Sequence, residues 1–377
     1  MEPFKNLLSR ALIEQAGLRL QGPQFDAQRF TALAVPGLEA LEMKARALHI
    51  CAALEATLPA DFHAAADLIE AALAPPEAGV NMGQLVGIET GLRGWILWPV
   101  GEYVARRGLH QPARALSLLH ALTQRFTAEF AIRPFIVTHP DLVFQTLATW
   151  CHDPSPHVRR LVSEGSRPRL PWGLQLKALI KDPSQTLPLL RTLQDDPSDY
   201  VRRSVANHLN DIAKDHPGLI AAWLEEHLPQ ASPQRRALLK HASRTLIKRG
   251  DAPVLRAWGL ANGLRGQATL ALDPPRVSVG ETVSLTLQLR STSPRKQRLA
   301  IDYAVHHVMA RGGTSARVFK GWQIELAPYA ELVLTRRHSM KAVTTRRYHP
   351  GDHLVTVQAN GRKVAEAAFE LLLPAPG

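Results

Sequence analysis

Cysteine is scarce in this chain, with only Cys51 and Cys151 among 377 residues. Two cysteines are too few for a disulfide framework or a thiolate zinc site, and both stand in apolar helical contexts, so we predict buried free thiols. Long apolar runs are missing too, and the N-terminal segment lacks the apolar core and small-residue cleavage site of a signal peptide. These absences lead us to expect a cytoplasmic protein.

Phosphate-binding glycine motifs are also missing. Residues 76–94 are glycine-rich, but their spacing matches neither the Walker nor the dinucleotide fingerprint, and we interpret them as a structured connection. Acidic residues are outnumbered, since 33 Asp and Glu face 45 Lys and Arg, which gives a net charge of +12. This excess indicates a polyanionic partner. Because no isolated amphipathic basic helix suggests a membrane anchor, nucleic acid is favoured over a lipid surface.

Residues 1–266 have the apolar periodicity of helices, interrupted by proline and glycine. One predicted helix starts at Thr127 and places Glu129 in its first turn, where the helix dipole favours an ionised carboxylate. Arg133-Pro134-Phe135 would end that helix. Trp172 follows Pro171 at another predicted helix start, which is a more exposed place than a core tryptophan usually has; packing against the neighbouring repeat is the plainer explanation.

An internal repeat organises the helical part. The segment DPSPHVRRLVSE at 153–164 returns 43 residues later as DPSDYVRRSVAN at 196–207, a period that suits HEAT-like helix pairs. The Asp-Pro-Ser opening predicts a helix start with a capping side chain and proline in the first turn. Each copy then begins an apolar stripe, which in the second copy comprises Val201, Val205, Leu209 and Ile212.

A second, polar stripe follows a different face of the same helix. It comprises Arg203, Asn207 and Asp211, and the first copy has Arg160 and Glu164 at the two corresponding positions. Stacked repeats would therefore bring Glu164 and Asp211 onto one wall among arginines. Taken by themselves, these residues fit ordinary ion pairs on a solvated face better than a catalytic cluster.

From Gln267 the apolar period changes to two, and about seven short strands are predicted, with Asn360-Gly361 as a hairpin turn. This pattern is typical of an immunoglobulin-like or fibronectin-like sandwich. The fold class is therefore a multidomain one: a HEAT-like α-helical solenoid over 1–266, then a β-sandwich over 267–377. The sandwich carries 15 Lys and Arg against eight Asp and Glu, which makes it a second candidate for binding a polyanion. His349 and His353 are spaced like metal ligands, but no cysteine or third histidine lies near them in the sequence, so we predict no metal site.

Five segments together resemble one family. They are the two Asp-Pro-Ser-x-x-Val-Arg-Arg repeats, RPRLPW at 167–172, NHLND at 207–211 and TTRRYHPGDH at 344–353. They resemble the AlkC-type alkylpurine DNA glycosylases, relatives of the AlkD group, in the branch that has a C-terminal immunoglobulin-like domain. The resemblance covers essentially the whole chain. It implies monofunctional excision of cationic 3-methyladenine and 3-methylcytosine from duplex DNA in base excision repair, without rotation of the lesion into a pocket.

The resemblance also implies a set of site residues. Matching the family's motifs gives Glu129, Glu164, Trp172 and Asp211 as the catalytic set. The chemistry is consistent with these residues, because an alkylated base is already a cationic leaving group. Carboxylates are then needed to stabilise the sugar oxocarbenium ion and to position water, while the tryptophan ring packs against the sugar or the lesion.

The expected partner is alkylated double-stranded DNA, bound by a monomer with no cofactor, metal, membrane or obligate protein partner. In a bacterial cell this implies a cytoplasmic protein associated with the nucleoid when bound to DNA. Phosphate contacts would come from basic residues of the helical part, and the sandwich would reach the minor groove. The predicted DNA-binding residues are Arg160, Arg167, Arg169, Lys177, Arg203, Asn207, Arg346 and Arg347.

Two alternatives remain open. A non-catalytic HEAT-repeat adaptor would use an arginine-rich concave face to bind an acidic protein, a common task of helical solenoids. A DNA-binding protein that recognises distorted duplex would bind abasic-site mimics but release no base. Only the glycosylase hypothesis makes base release depend on the carboxylates.

Overall fold

A computed structural model describes residues 4–79, 88–343 and 347–373 of the chain. Helices fill the described chain up to Ala257 and strands follow from Gly266, which confirms the predicted order of a helical region before a β region. Arg347 lies within the described residues, whereas Arg346 lies outside them. Both cysteines are buried free thiols, as predicted, and burial raises the pKa of each to about 12.

The α-helices of the described ranges are α1 (Arg10–Leu20), α2 (Ala27–Ala34), α3 (Met43–Thr57), α4 (Phe62–Ala71), α5 (Leu97–Arg107), α6 (Pro112–Thr123), α7 (Arg133–Thr138), α8 (Pro140–Trp150), α9 (Pro156–Gly165), α10 (Lys177–Lys181), α11 (Leu187–Leu193), α12 (Asp199–Asp215), α13 (Pro217–His227), α14 (Pro233–Ala242), α15 (Arg244–Arg249) and α16 (Ala252–Ala257). Short 3-10 helices lie at Phe4–Leu7, Leu38–Ala40, Gly94–Ile96 and Ser184–Thr186. None of the helices in these ranges has the length and apolar character needed to cross a membrane.

The backbone forms two compact units, one of residues 1–215 with 232–242 and the other of residues 216–231 with 243–377. Helices α13, α15 and α16 therefore group with the strands of the second unit. The division into domains at residue 266 stays a prediction, although the change from helix to strand does fall there.

In the first unit, the two sequence copies adopt the same local structure. In each copy the first aspartate accepts a hydrogen bond from the serine amide two residues later, at 2.8 Å for both Asp153 and Asp196. The first arginine of each pair, Arg159 or Arg202, then folds back onto two carbonyls of its own turn. Helices α9 and α12 pack together, and the predicted apolar stripe of α12 is buried.

The predicted helix ends were wrong in four respects. Residues 129–132 form a turn, so Glu129 does not lie in the first turn of a helix, and Arg133-Pro134-Phe135 begins α7 instead of ending a helix. Proline is tolerated in the first helical turn, where its missing N–H has no partner to lose. Trp172 likewise lies in a turn, and the next helix begins only at Lys177. Finally, the Asp-Pro-Ser aspartates close turns that precede α9 and α12 and cap neither helix directly.

The second unit contains the strands β1 (Gly266–Asp273), β2 (Arg276–Ser278), β3 (Thr282–Ser291), β4 (Gln297–Val308), β5 (Thr314–Leu326), β6 (Glu331–Ser339), β7 (Gly351–Ala359) and β8 (Arg362–Leu372). They form a three-stranded sheet in the order β1-β3-β6 and a five-stranded sheet in the order β2-β8-β7-β4-β5. Alternate residues of both sheets enclose an apolar core. The predicted hairpin is present, because Asn360 and Gly361 join β7 to β8 with positive φ at both residues.

Candidate active site

Arg167 joins the two carboxylates that the repeat pattern placed on one wall. Its Nη1 donates to Oε1 of Glu164 at 2.6 Å, and its Nε donates to Oδ2 of Asp211 at 2.9 Å. All three side chains are buried. The arrangement follows from the chain path, because α9 ends at Gly165 just after Glu164, and the following turn brings Arg167 back between α9 and α12.

The remaining oxygen of each carboxylate is also held, but by different kinds of group. Ser204 Oγ donates to Oε2 of Glu164 at 2.5 Å, and Lys214 Nζ donates to Oδ1 of Asp211 at 2.8 Å. Ser204 is buried, whereas the Lys214 side chain is 36% exposed. Asp211 thus has one oxygen fixed inside the fold and one whose partner reaches solvent.

Glu129 joins the same cluster through Arg160. Arg160 Nη1 lies 2.8 Å from Oε2 of Glu129, and its Nη2 lies 3.8 Å from Oε1 of Glu164. Thr127 Oγ1 donates to Glu129 at 2.6 Å, and the Arg160 guanidinium lies over the Tyr200 ring, 4.9 Å from its centroid. The structure therefore brings Glu129, Glu164 and Asp211 together, although Glu129 reaches the cluster from a turn.

The guanidinium groups decide the charge of Glu164. Burial by itself would raise the pKa of this carboxyl, but the charges of Arg160 and Arg167 outweigh it and hold the pKa below its usual range. Burial would conversely lower the pKa of Arg160 and of Arg167, and the neighbouring carboxylates raise both instead. Glu164 is consequently an anion at neutral pH, between two permanent cations.

His208 stands beside the cluster and adds no charge to it. Burial lowers its pKa to about 4, so the ring is neutral at physiological pH. Its Nδ1 lies 2.9 Å from the Ser163 carbonyl, which fastens α12 to α9 immediately before Glu164. Sequence patterns pointed to the neighbouring Asn207 and missed this contact, because a backbone carbonyl partner leaves no signature in the sequence.

Trp172 combines exposure with an unusual backbone. Its side chain is 69% exposed and its φ is 64°, in the left-handed region that non-glycine residues seldom occupy. The indole stacks on Trp98 with the ring planes 9° apart and the centroids separated by 6.5 Å, and Trp98 in turn stacks on Phe130 at 5.3 Å. The stack supports Trp172 on one side and leaves the ring accessible to a planar or cationic ligand.

The other predicted DNA contacts are dispersed over the two units. Arg169 forms two hydrogen bonds to Asp215, at 2.8 and 2.9 Å, and His241 Nε2 lies 2.8 Å from Oδ1 of Asn207. Lys177, Arg203 and Arg347 are exposed. Arg160 and Arg167 are instead engaged with carboxylates. The role of all these residues at DNA stays a prediction.

In the ranges 4–79, 88–343 and 347–373, no group of three or more His, Cys, Asp and Glu side chains is arranged to hold a metal ion. The acidic cluster is instead neutralised by arginine and lysine.

Two features together define the class of this protein. They are a helical region with a buried carboxylate–arginine cluster and an immunoglobulin-like sandwich that follows it. Residues 267–373 match the family model described as "Uncharacterised protein YhaZ, C-terminal Ig-like domain". The "Uncharacterized protein YhaZ" of Bacillus subtilis (strain 168) is 35% identical over 379 residues, covering 98% of this chain and 100% of the relative.

A solved structure extends the similarity to the whole fold. Alkylpurine DNA glycosylase AlkC of Pseudomonas fluorescens, bound to DNA containing an abasic site analog, matches with a TM-score of 0.88 and 32% identity. The match covers 98% of this chain and 100% of that one. The chain belongs to the AlkC family of alkylpurine DNA glycosylases.

Proposed function

We propose that this protein is a monofunctional DNA glycosylase that removes cationic N3-methylated bases, 3-methyladenine and 3-methylcytosine, from duplex DNA in base excision repair. The glycosidic bond of the lesion would be hydrolysed without rotation of the base into a pocket. The observation that carries the proposal is the buried cluster in which Arg167 bridges Glu164 and Asp211. Membership of the AlkC family supports the glycosylase class.

The chemistry suits a preorganised anionic wall. Methylation at N3 makes the base a cation and a good leaving group, so cleavage of the glycosidic bond needs little acid catalysis. Positive charge develops on the sugar as the bond breaks, and fixed carboxylates stabilise it without reorganising at that moment. Water then adds to the sugar carbon, and a carboxylate takes the proton that the water loses.

Asp211 is the better candidate of the two for contact with the sugar and water. Both oxygens of Glu164 are held by buried groups, whereas Oδ1 of Asp211 is held by the half-exposed Lys214. A nearby DNA phosphate would compete for the Lys214 ammonium and free that oxygen for water. Glu164 then fixes Arg167 and through it Asp211, while Glu129 adds negative charge at longer range.

Trp172 and the basic residues would supply binding. The exposed indole offers its face to the lesion or its sugar, and cation–π attraction contributes about 0.5 to 2 kcal/mol in such positions. Phosphate contacts by the predicted basic residues of both units would fix the register on the duplex without reading its sequence. A monomer with no cofactor and no obligate protein partner is sufficient for this mechanism.

The direct experiment is to incubate methylated duplex DNA with the purified protein and to identify the released bases by chromatography. Release of 3-methyladenine and 3-methylcytosine is the expected result. Tight binding to an abasic-site mimic without base release would favour a reader of distorted DNA. Absence of both release and DNA binding would favour an adaptor for acidic proteins.

A further inference from the structure

A second buried guanidinium lies beside the cluster without touching its carboxylates. Arg133, the first residue of α7, is 0% exposed. Burial and the repulsion of Arg167 lower its pKa to about 10, so it is a cation at neutral pH. Burying a charge costs desolvation free energy unless hydrogen bonds compensate for it. We therefore expect the hydrogen bonds of Arg133 to have a role in the fold or the site.

The partners of Arg133 are two backbone carbonyls on either side of the Trp172 turn. Its Nη1 donates to the Gly165 carbonyl at 2.8 Å, at the end of α9, and its Nε donates to the Leu174 carbonyl at 2.5 Å. Gly165 follows Glu164 directly, and Leu174 lies two residues after Trp172. One guanidinium therefore ties the end of the helix that carries Glu164 to the turn that carries the exposed indole.

Two glycines allow this close approach. A Cβ on Gly173 would lie 3.3 Å from both Cδ and Nε of Arg133, and one on Gly165 would lie 2.7 Å from Cγ2 of Ile132. The turn between them contains Trp172 at positive φ, a conformation that persists only where the surroundings enforce it. The Arg133 bridge supplies one such constraint, and the stacking contact with the Trp98 ring supplies another.

We propose that Arg133 is a positioning residue, which sets the place of Trp172 relative to Glu164 by bridging the carbonyls of Gly165 and Leu174. This inference rests on the proposed glycosylase function for its kinetic consequence. Lysine keeps the charge but lacks the planar fork that bonds two carbonyls at once, so Arg133→Lys removes the bridge selectively. A displacement of about 1 Å at a reacting group can cost up to about a hundredfold in rate.

The test compares Arg133→Lys with a matched control, Arg46→Lys. Arg46 is also buried and also donates to backbone carbonyls, those of Lys5, Leu8 and Leu41 among them, but none of its partners belongs to the cluster or the Trp172 turn. Single-turnover base release and DNA affinity are measured for both variants, each alone and combined with Trp172→Ala.

We expect Arg133→Lys to slow base release between about tenfold and a hundredfold, with little change in DNA affinity. In the Trp172→Ala background the same change should cost less than about twofold, because a residue that acts through Trp172 has nothing left to position. Arg46→Lys should leave the rate unchanged in both backgrounds. Equal losses for Arg133→Lys with and without Trp172 would overturn the proposal.

A spectroscopic measurement tests the position of Trp172 independently of catalysis. The near-ultraviolet circular dichroism of the stacked Trp98–Trp172 pair is obtained as the difference between wild type and Trp172→Phe. Arg133→Lys should abolish this signal and Arg46→Lys should keep it; a signal retained in Arg133→Lys refutes the bridge. If wild type releases no base, the glycosylase function fails while this readout still decides the position of Trp172.

Gly173→Ala provides a second variant if Arg133→Lys does not fold. Its added methyl would press on Arg133 and, at 3.1 Å, on Cδ2 of Leu170, without introducing a charge or removing a donor. We expect slower base release and a reduced Trp98–Trp172 signal. Unchanged values of both would contradict the proposed positioning.

Discussion

At the scale of single residues, arginine side chains hold the carboxylates of the cluster in place. Arg167 fixes one oxygen of Glu164 and one of Asp211, and Arg160 links Glu129 to Glu164. Such pairing preserves the carboxylate charge inside the protein, where an isolated carboxylate would take up a proton. The arginines therefore serve the proposed reaction by keeping Glu164 ionised and the three carboxylates oriented.

The pH dependence of stability is the first prediction from this pairing. The folded-state pKa of Glu164 lies below its ordinary 4.5. Its charge therefore contributes stability that is present above about that pH and is lost as pH falls through the folded value. We expect Glu164→Gln to lower the free energy of unfolding by about 3 kcal/mol at neutral pH, and the difference from wild type to shrink in acid.

Urea unfolding at a series of pH values measures this difference. Glu55→Gln is the control, because Glu55 pairs with Arg106 where both side chains are partly exposed, at 29% and 42%. That variant should lose less than about 1 kcal/mol. A gap between Glu164→Gln and wild type that stays constant into acid would mean that the carboxylate is not held ionised by its partners.

At the scale of elements, the two sequence copies are joined by a buried ion pair. Arg159 of the first copy donates to both oxygens of Asp196 of the second, at 2.6 and 3.1 Å, and both side chains are largely buried. Arg202 makes the same turn contacts in its own copy, but its carboxylate partner Asp199 is 83% exposed. Only the first copy thus uses its arginine to fasten one repeat to the next.

We predict that Arg159→Lys destabilises the protein more than Arg202→Lys, by about 2 kcal/mol. Both variants lose the two turn carbonyl contacts of an arginine, so their difference isolates the buried bidentate pair. Chemical denaturation of the two purified variants measures it. Equal destabilisation would show that the link between the repeats contributes nothing beyond the local turn.

Some of the helices, strands and turns could be predicted from the sequence and others could not. Periodicity was sufficient for the helices, the buried stripe of α12, the sandwich and the Asn360-Gly361 hairpin, because each depends on local pattern or on burial of one face. The turns at Glu129 and Trp172 were predicted as helix starts and were not. Their backbones are set by distant partners, such as Arg133 on the Leu174 carbonyl, which no local pattern encodes.

The same reason explains which site residues could be found. Glu164 and Asp211 were identified as neighbours because a 43-residue repeat places equivalent helix faces side by side. Lys214, Ser204 and Trp98 were missed. They contact the site residues through geometry that appears only after packing, and a single lysine, serine or tryptophan in a helix carries no pattern of its own.

At the scale of the whole molecule, the net charge of +12 predicts strongly salt-dependent binding to DNA. Arg347→Ala in the sandwich should weaken DNA binding and lower the salt slope by about 0.9, while the single-turnover rate at saturating protein stays unchanged. Lys363→Ala is the control for net charge, because Lys363 is already paired with Glu366. Identical salt slopes for the two variants would remove Arg347 from the DNA interface.

We propose that carboxylate charge accelerates cleavage without contributing to DNA binding. The most direct measurement is single-turnover release of 3-methyladenine by wild type, Asp211→Asn and Asp215→Asn, each with its DNA affinity. Asp215 lies on the same helix and pairs with Arg169, and neither residue bonds to Glu164 or Asp211 among the contacts described above, so its variant controls for the loss of one carboxylate charge from α12. We expect a loss of about a hundredfold in rate for Asp211→Asn alone, with affinity nearly unchanged. An undiminished rate in Asp211→Asn would contradict it.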